Sequence, residues 1–117
     1  MTNKGIRFYD TSSLLIRMDD IFKEPFVISS ISLAELENIK SSNNKDYDVK
    51  SNARRLLHLL DENSENYTTV IYKETMITPL AIQNLPINDD ARIIACALWY
   101  DSNKAISNMI FVTNDLA

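Results

Sequence analysis

The sequence predicts an α/β domain built on a largely parallel sheet, and three observations lead to that fold class. Short runs of β-branched and aromatic residues alternate with longer helical runs along the whole chain. The 117 residues, 45% hydrophobic and 24% charged, are enough for one hydrophobic core. We find no internal repeat and no interdomain linker, so we expect a single domain over residues 1–117.

Four short runs predict the strands of this sheet. Each is rich in residues that favour extended backbone, and they cover residues 6–9, 26–29, 68–73 and 109–113. Every strand except the last is followed by a helical pattern.

The first two helices follow the first two strands directly. One begins near Asp10 or Thr11 and ends before the polar run at 18–20, and the next follows Ser30. A polar loop at 41–48 then leads to a longer amphipathic helix, for which Asp48 is the expected N-cap.

The last helix begins after Asn88, its expected N-cap, and runs to about Tyr100. Before it, the segment between Pro79 and Pro86 is either a loop or one short helix.

The composition excludes several kinds of site. The chain has one Gly, one Cys and one His, so it lacks the glycines of a phosphate-binding loop and the ligands of a zinc site. Sixteen acidic against twelve basic residues give a net charge of −4. No apolar run approaches the roughly 20 residues of a membrane span, and no signal peptide is recognisable, so we expect a soluble cytoplasmic protein.

Four acidic residues occupy positions typical of a functional site. Asp10 and Asp115 follow the first and last strands, at the edge where α/β proteins bind ligands. Glu35 lies within about 40° of Ile39 on its helix and Asp90 within about 40° of Ile94 on the last one, so both are expected on apolar faces. Glu37 and Asp89 are directed away from those faces. Asp10 is equally explained as a helix cap.

Carboxylates directed inward need a compensating cation. Burying an ionised carboxylate without a partner costs several kcal/mol, and a helix N-terminus returns only about 0.3–1 kcal/mol. Few basic residues share those faces, so a divalent ion is the expected compensation. Carboxylate oxygens without His or Cys suit Mg²⁺ or Mn²⁺.

Four segments resemble the signature segments of PIN domains, the metal-dependent nucleases of toxin–antitoxin systems and RNA processing. In chain order they are FYDTSSLL, ISLAELENIK, NDDARIIACAL and FVTND. The resemblance covers almost the whole chain and is similar in detail to the PIN module at the N-terminus of PhoH-like proteins, with toxin ribonucleases as the other close group. It implies a three-layer α/β/α fold with about four to five strands, and hydrolysis of single-stranded RNA.

The resemblance also implies roles for individual residues. Asp10, Glu35, Asp90 and Asp115 would form the catalytic acidic cluster that holds one or two Mg²⁺ or Mn²⁺ ions. The supporting polar residues would be Ser12, Thr113 and Asn114, where Ser12 replaces the Asn of many relatives. PIN domains normally continue past this point with a helix and an edge strand, so we expect a C-terminally incomplete domain.

Other interpretations remain open at this stage. The same scaffold without catalysis could bind RNA or a protein, as the appendage of a PhoH-like ATPase or the partner of an antitoxin, and a homodimer is compatible with the sequence. His58 is expected on the solvent side of its helix, and Cys96 is expected to be a half-buried structural thiol. Residues 40–55 carry five basic and two acidic side chains, which we interpret as a solvated face in preference to a phosphate-binding strip.

Overall fold

A computed structural model describes residues 5–43, 46–84, 86–103 and 108–113. Its centre is a four-stranded, all-parallel sheet with the strand order β3-β2-β1-β4. The strands are β1 (Ile6–Tyr9), β2 (Phe26–Ser29), β3 (Tyr67–Val70) and β4 (Met109–Val112). The predicted α/β class with a parallel sheet is therefore confirmed.

Five α-helices connect the strands within the described residues. They are α1 (Thr11–Arg17), α2 (Ser30–Ser41), α3 (Tyr47–Glu62), α4 (Thr78–Ile82) and α5 (Asp89–Asn103). Short 3₁₀ helices cover Met18–Lys23, Ser64–Asn66 and Glu74–Met76. The segment between Pro79 and Pro86 thus contains the end of one short helix, which was one of the two predicted alternatives.

The sheet separates two apolar layers. On one face, the helices α1, α2 and α3 bury Leu14, Leu36 and Leu56 against Tyr9 and Phe26. On the other face α5 packs against the sheet through the cluster Phe8, Val27, Val70, Ile93, Cys96, Ala97 and Tyr100. The alternation along β1, Phe8 to one side and Tyr9 to the other, is the strand periodicity of two. Helices on both faces make the three-layer α/β/α architecture that the resemblance implied.

The third strand is shorter than predicted and begins one residue earlier. Tyr67 joins β3 because its ring stacks on Phe26 of β2, with ring centres 5.3 Å apart. The strand ends at Val70 because its partner Ser29 is the last residue of β2 before α2 begins. Residues 71–73 consequently have no neighbouring strand to pair with among the described residues.

The lone glycine has a packing role. A Cβ on Gly5 would lie 2.6 Å from the carbonyl oxygen of Asn108, too close for any other residue type without a backbone shift. Close approach here lets the Ile6 amide donate to the same carbonyl at 3.0 Å, where β1 and β4 begin to pair.

Two predicted details of the helices are wrong. Asp48 does not cap α3, because the helix already begins at Tyr47 and Asp48 lies in its first turn. Cys96 is fully buried, not half-buried, since the side of α5 that meets the sheet carries Ile93, Cys96 and Tyr100, while Ile94 is 41% exposed.

The cap of α5 is confirmed, because Asn88 Oδ1 accepts a hydrogen bond from the Ala91 amide at 2.9 Å. Among the described residues, no helix has both the length and the apolar character needed to cross a membrane.

Candidate active site

Asp10 lies at the carboxyl end of β1 and caps α1. Its Oδ1 accepts hydrogen bonds from the Ser13 amide at 2.9 Å, the Ser13 hydroxyl at 2.6 Å and the Ser12 hydroxyl at 3.3 Å. The residue is only 8% exposed. All three bonds reach one oxygen, so within the described residues Oδ2 accepts none. Asp10 is therefore both the helix cap and a buried carboxylate with one oxygen to spare.

The carboxyl end of β1, where Asp10 lies, is hydrogen-bonded to the end of β4. The Asp10 amide donates to the Val112 carbonyl at 3.2 Å, and the Ser13 hydroxyl oxygen lies 2.9 Å from that carbonyl. Thr113, the next residue along the chain, is half-buried. This register places the end of β4 beside Asp10, which is what the predicted supporting role of Thr113 requires. Asn114 and Asp115 lie outside the described residues.

Glu35 reaches the site from the second turn of α2 and is held by a hydroxyl. Thr11 Oγ1 lies 2.5 Å from Glu35 Oε1 and 2.9 Å from the Ser32 hydroxyl oxygen. A hydroxyl has one proton, and the carboxylate is the stronger acceptor, so Thr11 donates to Glu35 and the Ser32 hydroxyl donates to Thr11. Ser32 is itself buried beside Ser29, which caps α2. A line of hydroxyls thus fixes the Glu35 carboxylate from the end of β2.

The pKa of Glu35 depends on the charges of two other predicted acidic residues, Asp10 and Asp90. Burial raises the pKa of Glu35 above its ordinary value of 4.5, and the hydrogen bond from Thr11 opposes that shift. The negative charges of Asp89, Asp90 and Asp10 raise the pKa further. The structure therefore brings Asp10, Glu35 and Asp90 into one region where like charges act on each other.

Asp90 differs from its prediction in burial. It is exposed at the start of α5, because the four α5 residues that pack against the sheet, Ile93, Cys96, Ala97 and Tyr100, centre about 70° around the helix from Asp90. The expectation that Asp90 points into the core is wrong, although its charge reaches Glu35. Glu37 is exposed as predicted and forms an ion pair with Lys40.

Sequence reasoning missed three residues of this region. Asp89 acts on Glu35 ahead of Asp90 in strength, while its own carboxylate binds Arg92 at 3.0 Å. Its position on the helical wheel, away from the apolar face, excluded Asp89 from the prediction. At a helix N-terminus, however, adjacent residues all lie near the same end of the helix, so the wheel position does not separate Asp89 from Asp90. Thr11 and Ser13 had a signal in the run DTSS, since hydroxyls after a capping Asp can bind acidic side chains.

The donor set suits a hard divalent cation in its chemistry. Asp10 and Glu35 offer carboxylate oxygens, and the charges acting on Glu35 are all negative. However, no three acidic, histidine or cysteine side chains among the described residues lie close enough together to form a metal-binding group. Asp115, the fourth predicted ligand, lies outside those residues.

The remaining candidates are ordinary structural residues. His58 is 72% exposed and forms a surface ion pair with Glu62 at 2.9 Å. Burial raises the pKa of the Cys96 thiol to about 11, so it is not a nucleophile near neutral pH. In the basic segment 40–55, Arg55 pairs with Asp19 and Lys40 with Glu37, which favours the solvated-face interpretation.

Comparison with known proteins adds one finding. A family model described as the PIN domain matches residues 8–117 of this chain. Neither the curated proteins nor the solved structures yield a significant match.

Proposed function

The chain belongs to the PIN domain family, whose members are generally nucleases that use divalent metals, and from this premise we propose that it is an Mg²⁺- or Mn²⁺-dependent endoribonuclease acting on single-stranded RNA. The proposed catalytic and metal-binding residues are Asp10, Glu35, Asp90 and Asp115, with Ser12, Thr113 and Asn114 in support.

The observation that carries the proposal is the concentration of negative charge around Glu35. Its carboxylate is half-buried, receives one hydrogen bond from Thr11, and is acted on by the charges of three other carboxylates, of which Asp89 is paired with Arg92. Among the described residues, no cation acts directly on Glu35. Such a grouping costs folding free energy unless a cation occupies it. A protein that only needed a stable core would place an apolar residue here.

In this proposal Asp10 and Glu35 bind the metal, and the side chains that hold them have separate roles. The backbone amide and the hydroxyl of Ser13 both donate to Oδ1 of Asp10, which leaves Oδ2 for a ligand. Thr11 holds Oε1 of Glu35 and so limits the rotation of that carboxylate. When bound, a divalent ion supplies positive charge to the phosphate and lowers the pKa of a water molecule.

Hydrolysis then proceeds by attack of water on phosphorus in line with the leaving oxygen. A P–O bond to the water oxygen forms as that water gives up a proton, the P–O3′ bond breaks, and the 3′ oxygen takes up a proton. The products are a 5′-phosphate and a 3′-hydroxyl.

The test compares two carboxylates two residues apart on α2. Labelled single-stranded RNA is incubated with Mn²⁺ and wild-type protein, Glu35→Gln or Glu37→Gln. We expect Glu35→Gln to lose activity by at least about a hundredfold, EDTA to abolish it, and Glu37→Gln, an exposed residue, to retain it. Cleavage that survives EDTA or Asp10→Asn would refute the metal mechanism.

Substrate class is tested in parallel. The same sequence is offered as single-stranded RNA, duplex RNA and single-stranded DNA, with the 5′ and 3′ ends of the products mapped. We expect the single-stranded RNA to be cleaved fastest, and equal cleavage of all three would remove the RNA assignment.

A second candidate is a non-catalytic PIN scaffold that binds RNA or protein, as an appendage of a PhoH-like ATPase or the target of an antitoxin. It is favoured by the absence, within the described residues, of three acids at metal-ligand spacing. The two candidates differ in metal binding: Mn²⁺ raises the melting temperature of a metal enzyme and leaves that of the scaffold unchanged.

A further inference from the structure

A groove lies between β3 and α5, where Trp99 lines it. Its volume is about 450 Å³, within the roughly 300–1,000 Å³ of ligand-binding clefts. Residues 68–71 line the groove in an unbroken run, so backbone as well as side-chain atoms bound it. Asp10, Glu35 and Asp90 do not line it, which makes the groove a feature separate from the acidic region around Glu35.

The residues that follow β3 connect the groove with the acidic region. Asp89, whose negative charge acts on Glu35, accepts a hydrogen bond from Arg92 at 3.0 Å. Arg92 is also hydrogen-bonded to the Tyr72 side chain. Tyr72 is followed directly by Lys73, which lines the groove. A continuous line of contacts therefore leads from the acidic region to the groove.

Trp99 sets the distance over which the groove extends from that region. It follows Asp90 by nine residues on α5, which is about 13.5 Å along the helix axis. A single strand with stacked bases covers this distance in about four nucleotides, at roughly 3.4 Å for each nucleotide. A strand whose scissile phosphate lies at the acidic region therefore brings a base about four nucleotides away to Trp99.

The side chains of the groove suit a nucleotide chain. Among the described residues that line it, Lys73 alone is charged, and this exposed side chain has no ion-pair partner within the described part of the chain. Thr68, Thr69 and Thr75 add hydroxyls that can donate or accept hydrogen bonds. Trp99 is 39% exposed. A free cation, hydroxyls and an accessible indole ring are the groups that bind phosphates, polar base edges and base faces.

We propose that the groove binds the part of the RNA strand that flanks the scissile phosphate, with one base stacked on Trp99 and one backbone phosphate at Lys73. The inference rests on the proposed function, because it takes the acidic region as the place of cleavage. Stacking on an aromatic ring accepts any unpaired base, so the groove selects single strands without selecting a sequence. An open strand edge also suits a peptide, but the lone cation of the groove and its connection to the acidic region favour a polyanion.

Fluorescence makes the groove directly observable, because Trp99 is the only tryptophan of the chain. Wild-type protein, Lys73→Gln and Arg54→Gln are titrated with a single-stranded RNA of about ten nucleotides. Ca²⁺ replaces Mn²⁺, which retains a divalent ion with a different preferred geometry and slows cleavage. Arg54 is exposed on α3, on the opposite face of the sheet, so its variant is a control that loses the same charge.

We expect the RNA to quench the fluorescence of Trp99 in all three proteins. Lys73→Gln should bind about three- to tenfold more weakly than wild type at about 0.1 M salt, because one phosphate contact is lost. The slope of log Kd against log salt should fall by about 0.7, the contribution of one phosphate in a single strand. Arg54→Gln should match wild type in both quantities.

Substitution of Trp99 tests the stacked base. Trp99→Leu removes the ring and Trp99→Phe keeps an aromatic face, and both variants are checked for folding by circular dichroism. In Mn²⁺ we expect Trp99→Leu to raise KM for RNA about tenfold or more with kcat within about twofold, and Trp99→Phe to lie between Trp99→Leu and wild type. Wild-type kcat/KM should also fall when one side of the cleavage site is trimmed below about four nucleotides, whereas that of Trp99→Leu should not.

The outcomes separate the groove from the nuclease proposal. The groove is overturned, even if cleavage in Mn²⁺ persists, by RNA that binds without quenching Trp99, by duplex RNA that quenches equally, or by Lys73→Gln that matches Arg54→Gln. A wild-type protein that binds no RNA up to about 1 mM, or a KM that Trp99→Leu leaves unchanged, also overturns it. Quenching and the Lys73 effect in a protein that cleaves no RNA would support the groove and refute the nuclease.

Discussion

Asp10 has two roles that two substitutions can separate. It caps α1 through Oδ1, and it contributes a negative charge to the acidic region. Asp10→Ala removes the cap and the charge, whereas Asp10→Asn removes the charge and keeps an oxygen that can accept from the Ser13 amide. Metal-free stability therefore reports on the cap, and metal-induced stabilisation reports on the charge.

The magnitudes follow from the contacts. Replacing an N-cap Asp by Ala costs about 0.5–2 kcal/mol. The buried Ser13 hydroxyl is not left without an acceptor, because its oxygen is also 2.9 Å from the Val112 carbonyl. We therefore expect Asp10→Ala to lose about 1–2 kcal/mol, or roughly 3–10 °C in melting temperature. Asp and Asn are comparable caps, so Asp10→Asn is expected within about 0.5 kcal/mol of wild type in EDTA.

Thermal melts with and without Mn²⁺ provide the assay. At a Mn²⁺ concentration about a hundred times Kd, wild-type protein should gain roughly 2.7 kcal/mol, while neither variant at position 10 should gain. Equal stabilisation of Asp10→Asn and wild type by Mn²⁺ would show that Asp10 is not a ligand. If Asp10→Ala were as stable as Asp10→Asn in EDTA, the hydrogen bonds to Oδ1 would not be a significant cap.

Three further predictions concern single side chains. Thr11→Val removes the hydroxyl that donates to Glu35, and we expect about a 10–100-fold loss in Mn²⁺ affinity, measured by calorimetry. Thr11→Ser keeps a hydroxyl and should bind Mn²⁺ with an affinity close to that of wild type. Equal affinities of the two variants would show that the hydrogen bond to Glu35 does not contribute to metal binding. Because the pKa of Glu35 is raised, the folded chain holds that proton more tightly than the unfolded chain, and ionisation reduces stability as pH rises from 4.5 through the folded pKa. Urea unfolding in EDTA should therefore show Glu35→Gln more stable than wild type near neutral pH, with the advantage disappearing below pH 4.5, and a pH-independent difference would disprove it. Cys96, with its pKa raised to about 11, should not react with a thiol reagent in mildly alkaline buffer until urea unfolds the chain; rapid labelling of native protein would contradict its burial.

The strands were predictable where the chain itself marks their ends. Residues 6–9 and 26–29 match β1 and β2, since a helix-capping side chain marks the end of each run, Asp10 directly after the first and Ser29 as the last residue of the second. The end of β3 was not predictable in this way. The run remains β-favouring through Tyr72, but pairing stops at Val70 because β2 ends opposite it. The length of a strand depends on its neighbour, which local sequence does not contain.

The inward face of α5 was misjudged for a related reason. Apolar residues surround this helix on most sides, so periodicity alone placed Ile94 in the core and Asp90 beside it. In the structure the sheet selects Ile93 and Cys96, and Asp90 is exposed. The charge of Asp90 nevertheless acts on Glu35, because both lie at the end of the sheet where the strands end and α5 begins.

A chain with a net charge of −4 can bind a negatively charged RNA only if the acidic region around Glu35 holds a cation. A phosphate approaching Glu35 meets the charges of Asp10, Asp89 and Asp90, all of the same sign as its own. A bound divalent ion reverses that local charge, so substrate affinity should depend on metal more than on surface lysines. The same repulsion lowers the stability of the metal-free chain. Glu35→Gln, which removes one of these charges without removing a helix cap or an ion pair, should consequently be more stable than wild type in EDTA and less stable than wild type in Mn²⁺, a crossing that no purely structural role of Glu35 produces.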